Sequence, residues 1–203
     1  MKVLGFISGL ALLTLQGCMS IPEINSKMRQ IDVAWELESQ KLEDSHRIRA
    51  LNVPKEQTME ILKKVFLDLG MPLDTYSMSS GEIKTVSIAP TPLSETEWAE
   101  IRKIENPKMQ DIAGTFFYLP EKPDKYFLIV RAKVVGNDSV SVVRLDYELR
   151  NPEYAAQGII ATRRAPPLAV QLGSMKIWAG VNDQLKTLGE EVRKRNEKDP
   201  ELI

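Results

Sequence analysis

The sequence predicts an α+β fold, a mostly antiparallel sheet packed by one helix from the N-terminal half and by a long C-terminal helix. Three observations predict it. Around Gly136-Asn137, apolar and polar residues alternate on both sides, the pattern of a half-buried hairpin. Met59, Leu62, Phe66 and Leu69 repeat at helical spacing between strand-like segments. Trp178, Val181, Leu185, Leu188 and Val192 repeat in steps of three and four near the C-terminus, the stripe of a long amphipathic helix.

Composition bounds the function classes. The chain has 203 residues, 43% apolar and 27% charged, the balance of one ordinary domain with appendages. With 27 Lys+Arg against 28 Asp+Glu, the net charge is -1, which gives no basic field for nucleic acid. One Cys excludes an intrachain disulfide, and one His excludes a multi-His metal site.

In chain order, Ile24, Met28, Ile31, Trp35 and Leu42 form a narrow apolar stripe over residues 21–45, a helix otherwise thick with charge. Such a helix either packs on its own domain or spaces it from a surface. The sharper alternative makes Ile24, Met28, Ile31 and Trp35 a docking stripe for a partner protein or a second copy of the chain. His46–Val53 reads as a strand, and Pro54 opens the next helix, where proline is tolerated. Ile61 and Val65 widen that helix's inner face, and Gly70 stops it. Leu73–Met78 and Glu82–Ala89 follow as strands around the turn Ser79-Ser80-Gly81.

After Pro90 and Pro92, Ser94 and Glu97 form a capping box, and Leu93 with Trp98 has the spacing of a hydrophobic staple. This helical insertion, 94–106, is expected to end at Asn106-Pro107. A two-residue Gly136-Asn137 turn pairs Val130 with Val143, Leu128 with Leu145 and Tyr126 with Tyr147. Thr115–Leu119 and Gln157–Thr162 read as further strand pieces. Pro166-Pro167 breaks the chain before the last helix, expected over 170–196, and Arg193–Leu202 reads as a charged, frayed tail.

The N-terminus carries an address. Met1-Lys2 precedes a mostly apolar run from Val3 to Gln16, too short for a bilayer span, which needs about 20 apolar residues. This pattern fits a secretory signal peptide over 1–17. Leu15-Gln16-Gly17-Cys18 resembles a bacterial lipobox. The resemblance implies cleavage before Cys18, with palmitate-type acyl chains linked to its thiol and amine. Each buried CH₂ contributes about 0.8 kcal/mol, and two or three chains anchor where one is marginal. Met19 and Ser20 follow, with no Asp at the second mature position, which by the same resemblance implies the periplasmic face of the outer membrane. The chain then divides into the signal (1–17), lipid anchor and helical tether (18–45) and a single α+β domain (46–203).

The stretch Val53-Pro54 through Thr85, "VPKEQTMEILKKVFLDLGMPLDTYSMSSGEIKT", resembles the repeat unit of helix-grip envelope lipoproteins, in particular the accessory lipoproteins of the outer-membrane β-barrel assembly machine. The shared features are Val-Pro ending a strand, an amphipathic helix, Leu-Gly before a strand and Ser-Gly-Glu-Ile before the next. The resemblance implies a non-catalytic scaffold role with envelope protein partners.

No catalytic or cofactor motif stands beside it. The chain lacks G-x-S-x-G, G-x-x-x-x-G-K-[ST], G-x-G-x-x-G and H-E-x-x-H. Asp146 and Glu148 lie between Arg144 and Arg150 on one outward strand face, where charge pairing is the ordinary role. His46 reads as a surface or capping residue. Arg163-Arg164, next to Pro166-Pro167, could meet anionic lipid headgroups, at about 1 kcal/mol per charge, or an acidic partner. The expectation is therefore a lipid-anchored binding or scaffold subunit, without catalytic, cofactor or metal residues. The alternative is a carrier of a hydrophobic ligand held between the C-terminal helix and the sheet.

Overall fold

A computed structural model describes residues 19–41 and 46–198. The signal segment 1–17, Cys18, Leu42 and the end of the charged tail lie outside the described residues.

The first helix, α1 (Ile21–Gln40), opens with a capping box. Ser20 Oγ accepts from the Glu23 amide, and the Glu23 carboxylate accepts from the Ser20 amide at 2.9 Å. Strand β1 (Ile48–Leu51) and helix α2 (Lys55–Asp68) follow, and Gly70, at φ +72°, turns the chain after the helix in the left-handed region. Met59, Ile61, Leu62, Val65 and Phe66 are all buried, as their spacing predicts. Strands β2 (Leu73–Ser77) and β3 (Glu82–Ile88) flank a turn in which Gly81 has φ +65°.

Helix α3 begins at the Ser94 capping box but runs Glu95–Ala113, straight through Pro107. The expected stop at Asn106-Pro107 is thus wrong. Pro107 is exposed, while Met109 and Ala113 carry the apolar face onward into the core. Their burial offsets the backbone hydrogen bond that proline forfeits.

The hairpin is β4 (Phe127–Gly136) and β5 (Ser141–Arg150), joined by four residues rather than two. Asn137 Oδ1 accepts from the amides of Ser139 and Val140 and shapes this loop. The pairs are Val130 with Tyr147, Leu128 with Leu149 and Val134 with Val143, so each partner lies four residues from the predicted turn's register. An even shift keeps every side chain on its predicted face, and alternation alone cannot see it.

Beyond the hairpin, α4 (Pro152–Ala156) and β6 (Thr162–Arg164) flank a turn and loop over residues 157–161, so of the strand expected over Gln157–Thr162 only Thr162 is in a strand, and Thr115–Leu119 is loop. The last helix, α5 (Pro167–Lys198), starts at Pro167. Pro167 occupies a first-turn position, where its missing N–H costs nothing.

The sheet order is β1-β5-β4-β3-β2, antiparallel throughout, and β6 pairs with the other end of β5 from β1. The architecture is α+β, with helices over one face. Ile83, Val130, Ala132, Val143 and Leu145 form that inner face with helical side chains above them. Hydrogen bonds sew the layers at two buried points, Thr58 to Ser141 at 2.7 Å and Tyr147 to Ser174 at 2.8 Å. On the outer face Glu148 pairs with Arg131 at 2.7 Å, and Asp146 with Arg144 at 3.5 Å and with Arg47. Arg47 is buried beside β5, and its Nε donates to the Leu145 carbonyl at 3.0 Å between the stretches of β5 that β1 and β6 cover.

Helix α1 is not a free tether. Of the stripe expected to dock a partner, Met28, Ile31 and Trp35 are buried against α3, α5 and β6, and Ile24 is half-buried. The described part of 18–45 belongs to the same body as the rest.

Candidate functional site

Where a ligand cavity was expected, between the C-terminal helix and the sheet, the described apolar face of α5 packs on the core. Ile177, Trp178 and Val181 are buried and Leu185 packs on the same core, while Gly173 lets α5 approach Tyr147 closely. A Cβ at position 173 would sit 3.3 Å from the Tyr147 ring.

A pocket of about 510 Å³ lies elsewhere, under the N-terminal half of the helical layer. That is within the roughly 300–1,000 Å³ of small-molecule sites. Helix α1 supplies Ile24, Met28 and Trp35 to its wall, and Met19 lies at its edge. Met109 comes from the end of α3, and Phe116, Phe117, Tyr118 and Leu119 from the loop that follows. The floor and far side are Tyr126, Leu149, Tyr154, Ile159, Ala161, Arg163 and Arg164.

Local chemistry builds each wall. Asn25 fastens α1 to the segment after α4: its Nδ2 donates to the Gly158 carbonyl at 3.0 Å, and its Oδ1 accepts from the Ile160 amide at 2.9 Å. The loop after α3 turns at Gly114, whose carbonyl accepts from the Phe117 amide at 3.1 Å, and is tied to α3 side chains at its far end. The Leu119 amide donates to Asn106 Oδ1 at 2.7 Å, Arg102 Nε donates to the Leu119 carbonyl at 3.2 Å, and Trp98 Nε1 donates to the Pro120 carbonyl at 2.9 Å. Ahead of these anchors, Phe116 is 82% exposed and Tyr118 60%. On the far side the Tyr126 and Tyr154 rings meet edge to face at 6.0 Å, with their hydroxyls 2.8 Å apart. Burial and that hydrogen bond push the Tyr154 hydroxyl's pKa well up, so it stays protonated.

The charged groups at the pocket are spoken for. Arg163 Nε donates to Asp32 at 3.1 Å, and its guanidinium lies 5.3 Å from the Trp35 ring centre. Arg164 pairs with Glu36 at 2.8 Å. Burial raises the pKa of Asp32 above the ordinary carboxylate range and outweighs the opposing pull of Arg163. These two arginines, expected to meet lipid headgroups or an acidic partner, brace β6 against α1. Trp35 is 2% exposed, and its indole N–H finds no acceptor among the described residues.

The arrangement suits an apolar ligand held by shape. Aromatic rings supply rigid area, and Met19, Met28 and Met109 supply adaptable, polarizable contact. Of the residues predicted as a partner stripe, Ile24, Met28 and Trp35 are brought together here, while Ile31 is buried in the core. The rings of Phe116, Phe117, Tyr118, Tyr126 and Tyr154 were not foreseen as site residues. The available signal was Phe116-Phe117-Tyr118 lying between Gly114 and Pro120, an aromatic run framed by two breakers.

Asp146 and Glu148 face away from the pocket in ion pairs, and the His46 carbonyl accepts from Trp178 Nε1. Among the described residues no three His, Cys, Asp or Glu side chains are grouped to hold a metal ion, and no helix is long and apolar enough to cross a membrane. No protein-family model, curated protein or solved structure matches the chain.

Proposed function

We propose that the chain is an envelope lipoprotein, anchored through Cys18 at the periplasmic face of the outer membrane, whose body binds an apolar, chain-like ligand without catalysis. The observation that carries the binding role is the 510 Å³ pocket, lined by aromatic and methionine side chains around two internally neutralised arginines. The lipobox pattern supports the anchor, and Met19 at the pocket edge is the residue that follows Cys18 in the chain. The carrier reading thus keeps its chemistry and changes its place, from beneath α5 to beneath α1.

The test is a titration of the mature chain without lipid (residues 18–203 with Cys18→Ala) with cis-parinaric acid, whose emission rises in apolar surroundings. Saturable binding that Ala161→Phe abolishes is the expected result. Unsaturable partitioning, or binding indifferent to Ala161→Phe, contradicts the pocket. For the anchor, labelled palmitate should enter the parent and not Cys18→Ala.

A scaffold role with an envelope protein partner is the second reading. It draws support from Val33 and Leu37, one turn apart on α1 and 62% and 58% exposed, on the opposite side from the buried stripe. In-membrane crosslinking through either position should capture a defined neighbour if this face is occupied.

A further inference from the structure

We infer that the pocket mouth rests on the bilayer that carries the anchor, and that the pocket takes one acyl chain of a bilayer lipid. This rests on the lipid anchor and the apolar-ligand reading proposed above, and adds where the ligand comes from. Its first support is reach. The helix α1 begins at Ile21 and is capped by Ser20, so only three peptide steps separate Cys18 from a rigid helix. An extended chain spans at most about 3.3–3.6 Å per residue, which holds the start of α1 within roughly 10 Å of an acylated Cys18. Met19, itself part of the pocket edge, is one peptide bond away.

The second support is the rim. Phe116 and Tyr118 line the pocket, yet they are its most exposed large side chains, on the loop whose hydrogen bonds to α3 side chains lie at Leu119 and Pro120. Ile21, 47% exposed, stands beside Gly158 near the same mouth. A tyrosine and a phenylalanine projecting next to an acyl anchor suit the boundary between headgroups and hydrocarbon. The third support is the lining. Arg163 and Arg164 are matched by Asp32 and Glu36, so the interior is suited to hydrocarbon rather than to a headgroup.

Trp35 in the pocket wall reports on the occupant. The lipidated protein is reconstituted into phosphatidylethanolamine–phosphatidylglycerol vesicles with either ordinary or brominated acyl chains. The brominated lipids should quench the Trp35 share of the emission from the three tryptophans. The difference should vanish in Trp35→Phe and shrink severalfold in Phe116→Ser/Tyr118→Ser. Equal emission in the two vesicles overturns the inference, whether the pocket is shut from the bilayer or filled by the anchor's own unbrominated chain. Quenching that survives Trp35→Phe overturns it too. If the unlipidated chain still binds cis-parinaric acid while the vesicle signal is absent, the bilayer source falls and the pocket reading stands; loss of parinarate binding removes both.

Discussion

Two buried tryptophans show how differently the ends of one helical layer are built. Trp178 on α5 sits by β1, with Arg49 4.9 Å from its ring centre and its N–H given to the His46 carbonyl. Trp35 on α1 sits by β6 under Arg163, with its N–H unpartnered among the described residues and a pocket beside it. The local chemistry is alike and the packing is not. Helix α5 brings Ile177, Trp178 and Val181 down together, close enough to fill the space above the sheet. Helix α1 brings about one large apolar residue per turn, and the gap between that narrow stripe and the end of β5 is the pocket. A narrow stripe therefore marks where a core stays open.

The sharpest way to break this comparison is to delete the filled end. Trp178→Ala should cost about 3–5 kcal/mol in chemical denaturation, the range for a large aromatic removed from a packed core. A cost under 1 kcal/mol would mean that the end is not filled. Next comes adding volume at both ends. Ala132→Phe, in the fully buried sheet face, should cost about 1–3 kcal/mol through overpacking. Ala161→Phe should leave stability within about 0.5 kcal/mol of the parent, because its ring enters existing space.

Smaller effects separate the two capping boxes. Ser94→Ala and Ser20→Ala should each cost about 1 kcal/mol. Only Ser20→Ala should also weaken parinarate binding, since only that helix start borders the pocket. The smallest effect is a pH dependence. Glu105 on α3 is 1% exposed; its Oε1 accepts from the Leu168 amide at the start of α5, and Lys108 lies 3.6 Å away. Burial raises its pKa despite Lys108, so the folded state keeps this proton longer than the unfolded chain. The stability it contributes is whole below the unfolded pKa and is lost as pH rises through the raised one. Glu105→Gln should remove that fall, so its stability relative to the parent improves as pH climbs through the window. Thermal unfolding across the acid range measures it.

What could be read beforehand was local. The α2 face, the Gly70 and Gly81 turns and the Ser94 box follow from spacing and from backbone freedom that glycine alone supplies. The Ser20–Glu23 box has the same signature, and it marks where α1 begins. Tertiary packing decided the rest. Met109 and Ala113 carry α3 past a proline, and the hairpin register shifts by an even step that alternation cannot register. The pocket was hidden for a related reason. Its walls come from segments far apart in the chain, and Met28, Trp35 and Leu149 have the spacing of ordinary core residues. Only the aromatic run 116–118 was visible in one place, and its β-like composition pointed to a strand.

The central claim, that an apolar chain lies against Trp35 beneath α1, is tested most directly by energy transfer from tryptophan to bound cis-parinaric acid in the unlipidated mature chain. Transfer should saturate at one probe per chain, fall sharply in Trp35→Phe while binding persists, and disappear with binding in Ala161→Phe. Transfer that is unchanged in Trp35→Phe, or binding that ignores Ala161→Phe, would place the ligand elsewhere and contradict the account.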